Sequence, residues 1–177
     1  MIRCVFVGLF FAFYTLCSAQ CSYFLTGRPF GFERNNAIKE VGFRWGITVC
    51  YAGNDVAEEL GLSAIAAAND TVQVRMEKTH GAAWLTAFYQ EVDREEQWQN
   101  KVRMALAKKE EKGEKNQYIL VRNLGKGLCE VFLLDASTAK TQCLSWYRGK
   151  VKRKVKLTKQ ASECTLPYGF PENGIIK

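Results

Sequence analysis

Histidine occurs once in these 177 residues, at His80, and nowhere do two cysteines form a CxxC pair. The first scarcity excludes a histidine-rich metal centre. The second excludes the usual structural zinc sites, whose ligands come in closely spaced pairs. No cofactor or metal is expected. Long apolar runs are scarce as well: beyond the first nineteen residues no stretch approaches the ~20 apolar residues that a membrane-crossing helix needs. No internal repeat, RNA-binding signature or motif specific to one reaction is present, so nucleic acid is not specifically indicated as a partner.

The opening segment, MIRCVFVGLFFAFYTLCSA, is the most informative part of the chain. One charge, Arg3, precedes an apolar run from Cys4 to Tyr14, and small residues close it at Ser18-Ala19. That order describes a secretory signal peptide over residues 1–19, followed by a single globular domain over residues 20–177. The expected location is outside the cytosol, secreted or periplasmic. Cys21 keeps open a second route, a lipoprotein anchored through that cysteine, although Gln20 is a poor residue to precede it.

Seven cysteines are present, and Cys4 and Cys17 leave with the leader. Cys21, Cys50, Cys129, Cys143 and Cys164 remain as disulfide candidates. An odd number in an exported chain leaves one thiol unpaired, lipidated or bonded to another chain. Cys129 and Cys143 fall on neighbouring strands but several residues out of register, beyond the ~7 Å Cα separation that a bridge tolerates. Cys21 and Cys164, near the two mature ends, are the expected terminus-tying pair.

The first half of the mature chain reads as helical with one early strand. FERNNAIKEVG forms a short helix, with Phe32, Ile38 and Val41 on its apolar side and Gly42 as its cap. The β-branched and aromatic stretch at residues 43–51 reads as a strand. A longer helix follows, capped by Asn54 or by Asp55 with Glu58, its stripe running from Val56 through Leu60, Ala64 and Val72 to Met76. Gly81 breaks the pattern. Trp84, Phe88 and Val92 mark a third helix. Asp93 and Glu96 are spaced as the cap of a fourth, which carries Trp98, Val102 and Leu106 into a charged end near Lys108.

The second half changes character. Residues 117–124, 128–134, 141–147 and 151–158 are four strand candidates joined by short links, which makes an antiparallel meander. The whole is an α+β fold: an N-terminal, mainly helical half with one early strand, packed on a C-terminal four-stranded antiparallel β-meander. Turn lengths give an expected register. A Gly125-Lys126-Gly127 hairpin sets Val121 opposite Val131 and Ile119 opposite Leu133. A turn at Ser137-Thr138 sets Val131 opposite Leu144 and Cys129 opposite Trp146. A two-residue Arg148-Gly149 turn then sets Trp146 opposite Val151. These residues share the face that the helices would cover.

The net charge of +7 falls to +6 without Arg3, and much of it gathers near one end. On the opposite face of the expected last strand lie Lys150, Lys152, Lys154 and Lys156, with Tyr147 beside them and Arg148 in the adjoining turn. A row of ammonium groups creates a stripe of positive potential suited to an anionic polymer, an acidic surface or an acidic protein partner. The competing reading of the same row is defensive, since lysines on the solvent face of a terminal strand block edge-to-edge aggregation, and spacing alone does not separate the two. The expected role is that of an exported binding or interaction protein with an anionic partner, and not an enzyme.

Other chemistry is weaker. His80 with Cys50 is a conceivable base and nucleophile, but no elbow-like glycine pattern surrounds Cys50. The pairs Glu58-Glu59, Glu95-Glu96 and Glu110-Glu111 are adjacent on helices, point apart and read as solvated faces. Gly125-Lys126-Gly127 reads as a turn and not as a phosphate loop. Trp45, Trp84, Trp98 and Trp146 fit apolar faces. Asn69-Asp70-Thr71 is a glycan acceptor pattern inside an expected helix. An exported hydrolase or protein inhibitor with an unrecognised site is one alternative. A cell-surface subunit docking through Tyr118, Leu120, Phe132 and Leu134 is another.

Overall fold

The computed structural model describes residues 21–27, 30–52, 61–109, 117–135 and 142–164. The expected leader, the expected Asp55–Glu58 cap, Glu58-Glu59, Glu110-Glu111, the expected Ser137-Thr138 turn and the residues beyond Cys164 lie outside the described residues. In chain order the elements are β1 (Tyr23–Thr26), α1 (Phe32–Trp45), β2 (Val49–Ala52), α2 (Leu62–His80), α3 (Trp84–Lys109), β3 (Gln117–Gly125), β4 (Leu128–Asp135), β5 (Gln142–Val151) and β6 (Val155–Lys159). The architecture is α+β. A parallel pair, β1–β2, accompanies the helices, and β3-β4-β5-β6 form an antiparallel sheet in sequence order.

Helix α1 runs past the expected stop. Gly46, at φ 67°, provides the left-handed turn that ends it, and Gly42 lies one turn earlier. A Cβ on Gly42 would stand 2.8 Å from the Ile47 carbonyl oxygen. Gly42 is therefore needed for close approach of the returning chain and not for capping. Phe43 and Trp45, read as strand residues, belong to the helix; Trp45 packs against the helical cluster, which outweighs its β-propensity, whereas Phe43 points to solvent at 86% exposure. The third and fourth expected helices are one, α3. Asp93 and Glu96 do not cap anything: both carboxylates lie 2.8 Å from the Arg34 guanidinium of α1.

The parallel pair is fastened on both sides. Cys21 is bonded to Cys50 of β2, with their Cα atoms 5.7 Å apart. Across β1, Asn69 of α2 accepts from the Phe24 N–H at 2.7 Å and donates to the Phe24 carbonyl at 2.9 Å. Its amide satisfies backbone groups that an edge strand otherwise leaves open. The nitrogen of the glycan acceptor pattern is thus engaged inside the fold.

Three apolar clusters organise the rest. Ile38, Val41, Val72, Met76, Trp84, Phe88 and Val92 pack among the helices. Val102 and Leu106 of α3 lie on Val121, Cys129, Val131 and Tyr147 of the sheet. Leu120, Phe132 and Leu134 form a patch on the other sheet face, against Phe32, Tyr118 and Trp146. Each fully buried side chain of this size contributes about 1.5–3 kcal/mol. Cys143 and Cys164 are bonded, which holds the chain beyond β6 against the third cluster. The apolar second face is thus covered by the start of α1 and by Cys164.

The register agrees with expectation in β3–β4, where Val121 faces Val131 and Ile119 faces Leu133. It departs in β4–β5: Val131 faces Tyr147, not Leu144, and Cys129 faces Gly149, not Trp146. The offset is three residues, and an odd slip exchanges the two faces. Tyr147 consequently enters the helix-covered core, fully buried. Trp146 moves to the outer face and stacks on Phe132.

The expected Cys21–Cys164 bond does not form, because each cysteine has a nearer partner. Among the described cysteines Cys129 is the one left unpaired, buried under α3. With Cys21 bonded to Cys50, no thiol remains there to carry a lipid. Disulfides of this kind persist where the surroundings are oxidising. Among the described residues no helix is long and apolar enough to cross a membrane.

Candidate functional site

Strand β5 does not turn at Arg148-Gly149. It continues to Val151, which pairs with Val155, and the chain reverses through Lys152, Arg153 and Lys154. Gly149 is a strand residue because nothing larger fits. A Cβ there would overlap the Leu157 side chain, sit 2.7 Å from the Lys156 carbonyl oxygen and 3.0 Å from the Cys129 sulfur. Extending the strand brings Lys150 directly opposite Lys156.

The result is a cationic hairpin tip. Lys150, Lys152, Arg153, Lys154 and Lys156 are all exposed and line one open depression. The neighbouring hairpin turn abuts it, since the Val151 N–H donates to the Gly127 carbonyl at 2.6 Å. That contact adds Lys126, exposed in the turn, to the same end of the sheet. None of these six cations forms an ion pair with a described carboxylate. Like charges facing each other across a sheet repel and weaken it.

The remaining expected site residues lie elsewhere. Tyr147 is buried on the opposite face, beneath the Lys109 ammonium, so it does not reach the depression. Arg148 shares the face of Lys150, but its charge is already matched. Glu130 holds it at 3.1 Å and Arg122 at 3.2 Å, and the Arg148 guanidinium lies over Trp146. Lys150, Lys152, Lys154 and Lys156 therefore come together, while Tyr147 and Arg148 do not join them. Arg153 and Lys126 were missed: alternation over an expected strand at 151–158 sets Arg153 on the face away from the lysines, and Gly125-Lys126-Gly127 reads only as a turn.

A second polar assembly was also invisible in the sequence. Glu95, read as solvated, is almost fully buried on α3. It accepts from Gln99 at 3.1 Å and Asn123 at 2.9 Å and pairs with Arg44 at 3.1 Å. Gln99 in turn accepts from Asn36 at 2.8 Å and from Arg103 at 2.9 Å. These bonds tie α1, α3 and β3 together, and their mutual satisfaction marks them as structural. Close by, burial raises the Glu40 carboxyl above its ordinary range, opposed by the Arg122 charge.

Catalytic pairings gain nothing from the fold. Cys50 is in a disulfide, and His80 stacks on Trp45 with ring centres 4.4 Å apart. Burial pushes the Cys129 thiol up to about 11, the wrong direction for a nucleophile. Of the tryptophans, Trp84 is fully buried, while Trp45, Trp98 and Trp146 are half-buried against the clusters. No three metal-binding side chains converge among the described residues.

No protein-family model matches the chain, and comparison with curated proteins and with solved structures likewise finds no match.

Proposed function

We propose that this is a small exported binding protein whose β5–β6 hairpin engages an anionic ligand. The observation that carries this reading is the placement of Lys150 opposite Lys156, with Lys152, Arg153 and Lys154 in the turn between them. Such an array costs folding energy through repulsion and is relieved when anions neutralise it. The leader-like first nineteen residues and the two disulfides support export.

Protection of the sheet edge accounts for less of the array. The sheet's edge strands are β3 and β6, and of the five cations lining the depression only Lys156 belongs to either. Lys150 lies on the inner strand, and the turn residues are beyond the ladder. Salt-titrated retention on an anionic polymer tests the proposal, comparing the wild type with Lys152→Glu/Lys154→Glu. The variant is expected to elute at clearly lower salt. Equal elution would remove the site and leave only generic charge.

A further inference from the structure

Besides its cations, this end of the sheet shows two apolar side chains to solvent. Leu124 lies where the β3–β4 register shifts, and Leu128 opens β4; they are 46% and 42% exposed. Leu128 is the cross-strand partner of Lys150. The Gly127–Val151 hydrogen bond keeps the two turns side by side. Two leucines and six cations therefore occupy one end of one sheet.

Resting on the anionic-ligand reading above, we propose that the ligand is the surface of an anionic lipid bilayer. A soluble polyanion uses the cations alone and gains nothing from adjacent leucines. A bilayer uses both: its headgroups neutralise the lysines, and its acyl boundary accepts short apolar side chains presented among them. Each cation close to such a surface strengthens binding about fivefold. Removing the leucines from water adds roughly tenfold more for the pair, given their partial burial beforehand. Leu128, Lys150 and Lys156 stand at paired positions of the sheet, which presents them without the cost of ordering a free segment.

The test is cosedimentation of the full disulfide-bonded chain with vesicles, beside retention on a heparin column. Vesicles of phosphatidylcholine alone and of phosphatidylcholine with phosphatidylserine are compared. The wild type is expected to bind the mixed vesicles and not the neutral ones. Leu124→Ser/Leu128→Ser is expected to lose about tenfold in vesicle affinity while its heparin elution stays unchanged. Lys152→Glu/Lys154→Glu is expected to lose both. Heparin retention without binding to the mixed vesicles overturns the bilayer proposal and leaves the cationic site in place, pointing to a soluble polyanion. Undiminished vesicle binding by the leucine variant overturns it as well. Absence of both activities in the wild type overturns the underlying reading too.

Discussion

Lys150 and Lys156 face each other across the last hairpin, one residue pair from its turn, and no described carboxylate neutralises either. Two features produce that confrontation. Gly149 lets β5 pass between Cys129 and Leu157 without turning. Val151 and Val155 then close the ladder immediately before the turn. The position of Gly149 thus sets which two lysines meet across the hairpin.

Gly149→Ala tests that dependence. The added methyl overlaps Leu157 and crowds the Lys156 carbonyl, so a loss of about 1–3 kcal/mol is expected from overpacking. Denaturant unfolding reads it as a lower midpoint with unchanged slope. An unaffected midpoint would place Gly149 in an open turn after all.

The register error has a physical origin in particular residues. Gly125-Lys126-Gly127 is a tight link, so Val121–Val131 could be read from its length. The longer link between β4 and β5, together with the irregularity at Leu133/Leu134, leaves several registers open. Glycine in Arg148-Gly149 resembles a turn because its true requirement, contact with Cys129 and Leu157, is distant in sequence. The same holds for Asp93 and Glu96, whose cap-like spacing conceals a partner on α1, and for Glu95, whose burial depends on Arg44 and Asn123. Composition and alternation conveyed the α+β division and the lysine row. The side-chain partners that complete the fold carry no local signal.

The Cys143–Cys164 bond anchors the segment after β6 over Leu120, Phe132 and Leu134. Cys143→Ser/Cys164→Ser is expected to cost about 3 kcal/mol, the usual worth of a disulfide closing a loop of this length. Increased binding of a hydrophobic dye at unchanged helix content would report exposure of the third cluster. Full stability without the bond would show that the segment is held by other contacts.

Glu40 gives the fold a pH dependence with a definite sign. Burial raises its folded-state pKa above the ordinary carboxylate value. The native state therefore holds this proton more tightly than the unfolded chain does. Its stabilising contribution is complete below the unfolded value and is lost as pH rises through the folded one. Glu40→Gln is expected to be more stable than the wild type at pH 7 and to lack that loss. Urea unfolding of both proteins across the acid range measures it. Parallel stability curves would contradict the assignment.

Location, as distinct from total charge, is the central claim, and one comparison isolates it. Lys150→Glu/Lys156→Glu and Lys78→Glu/Lys101→Glu change the net charge equally, the second pair on exposed positions of α2 and α3. Salt-gradient elution of both variants and the wild type from an anionic column is the measurement. The account predicts early elution and a weakened salt dependence for the hairpin pair only, with the helix pair close to wild type. Equal displacement of the two variants would contradict it.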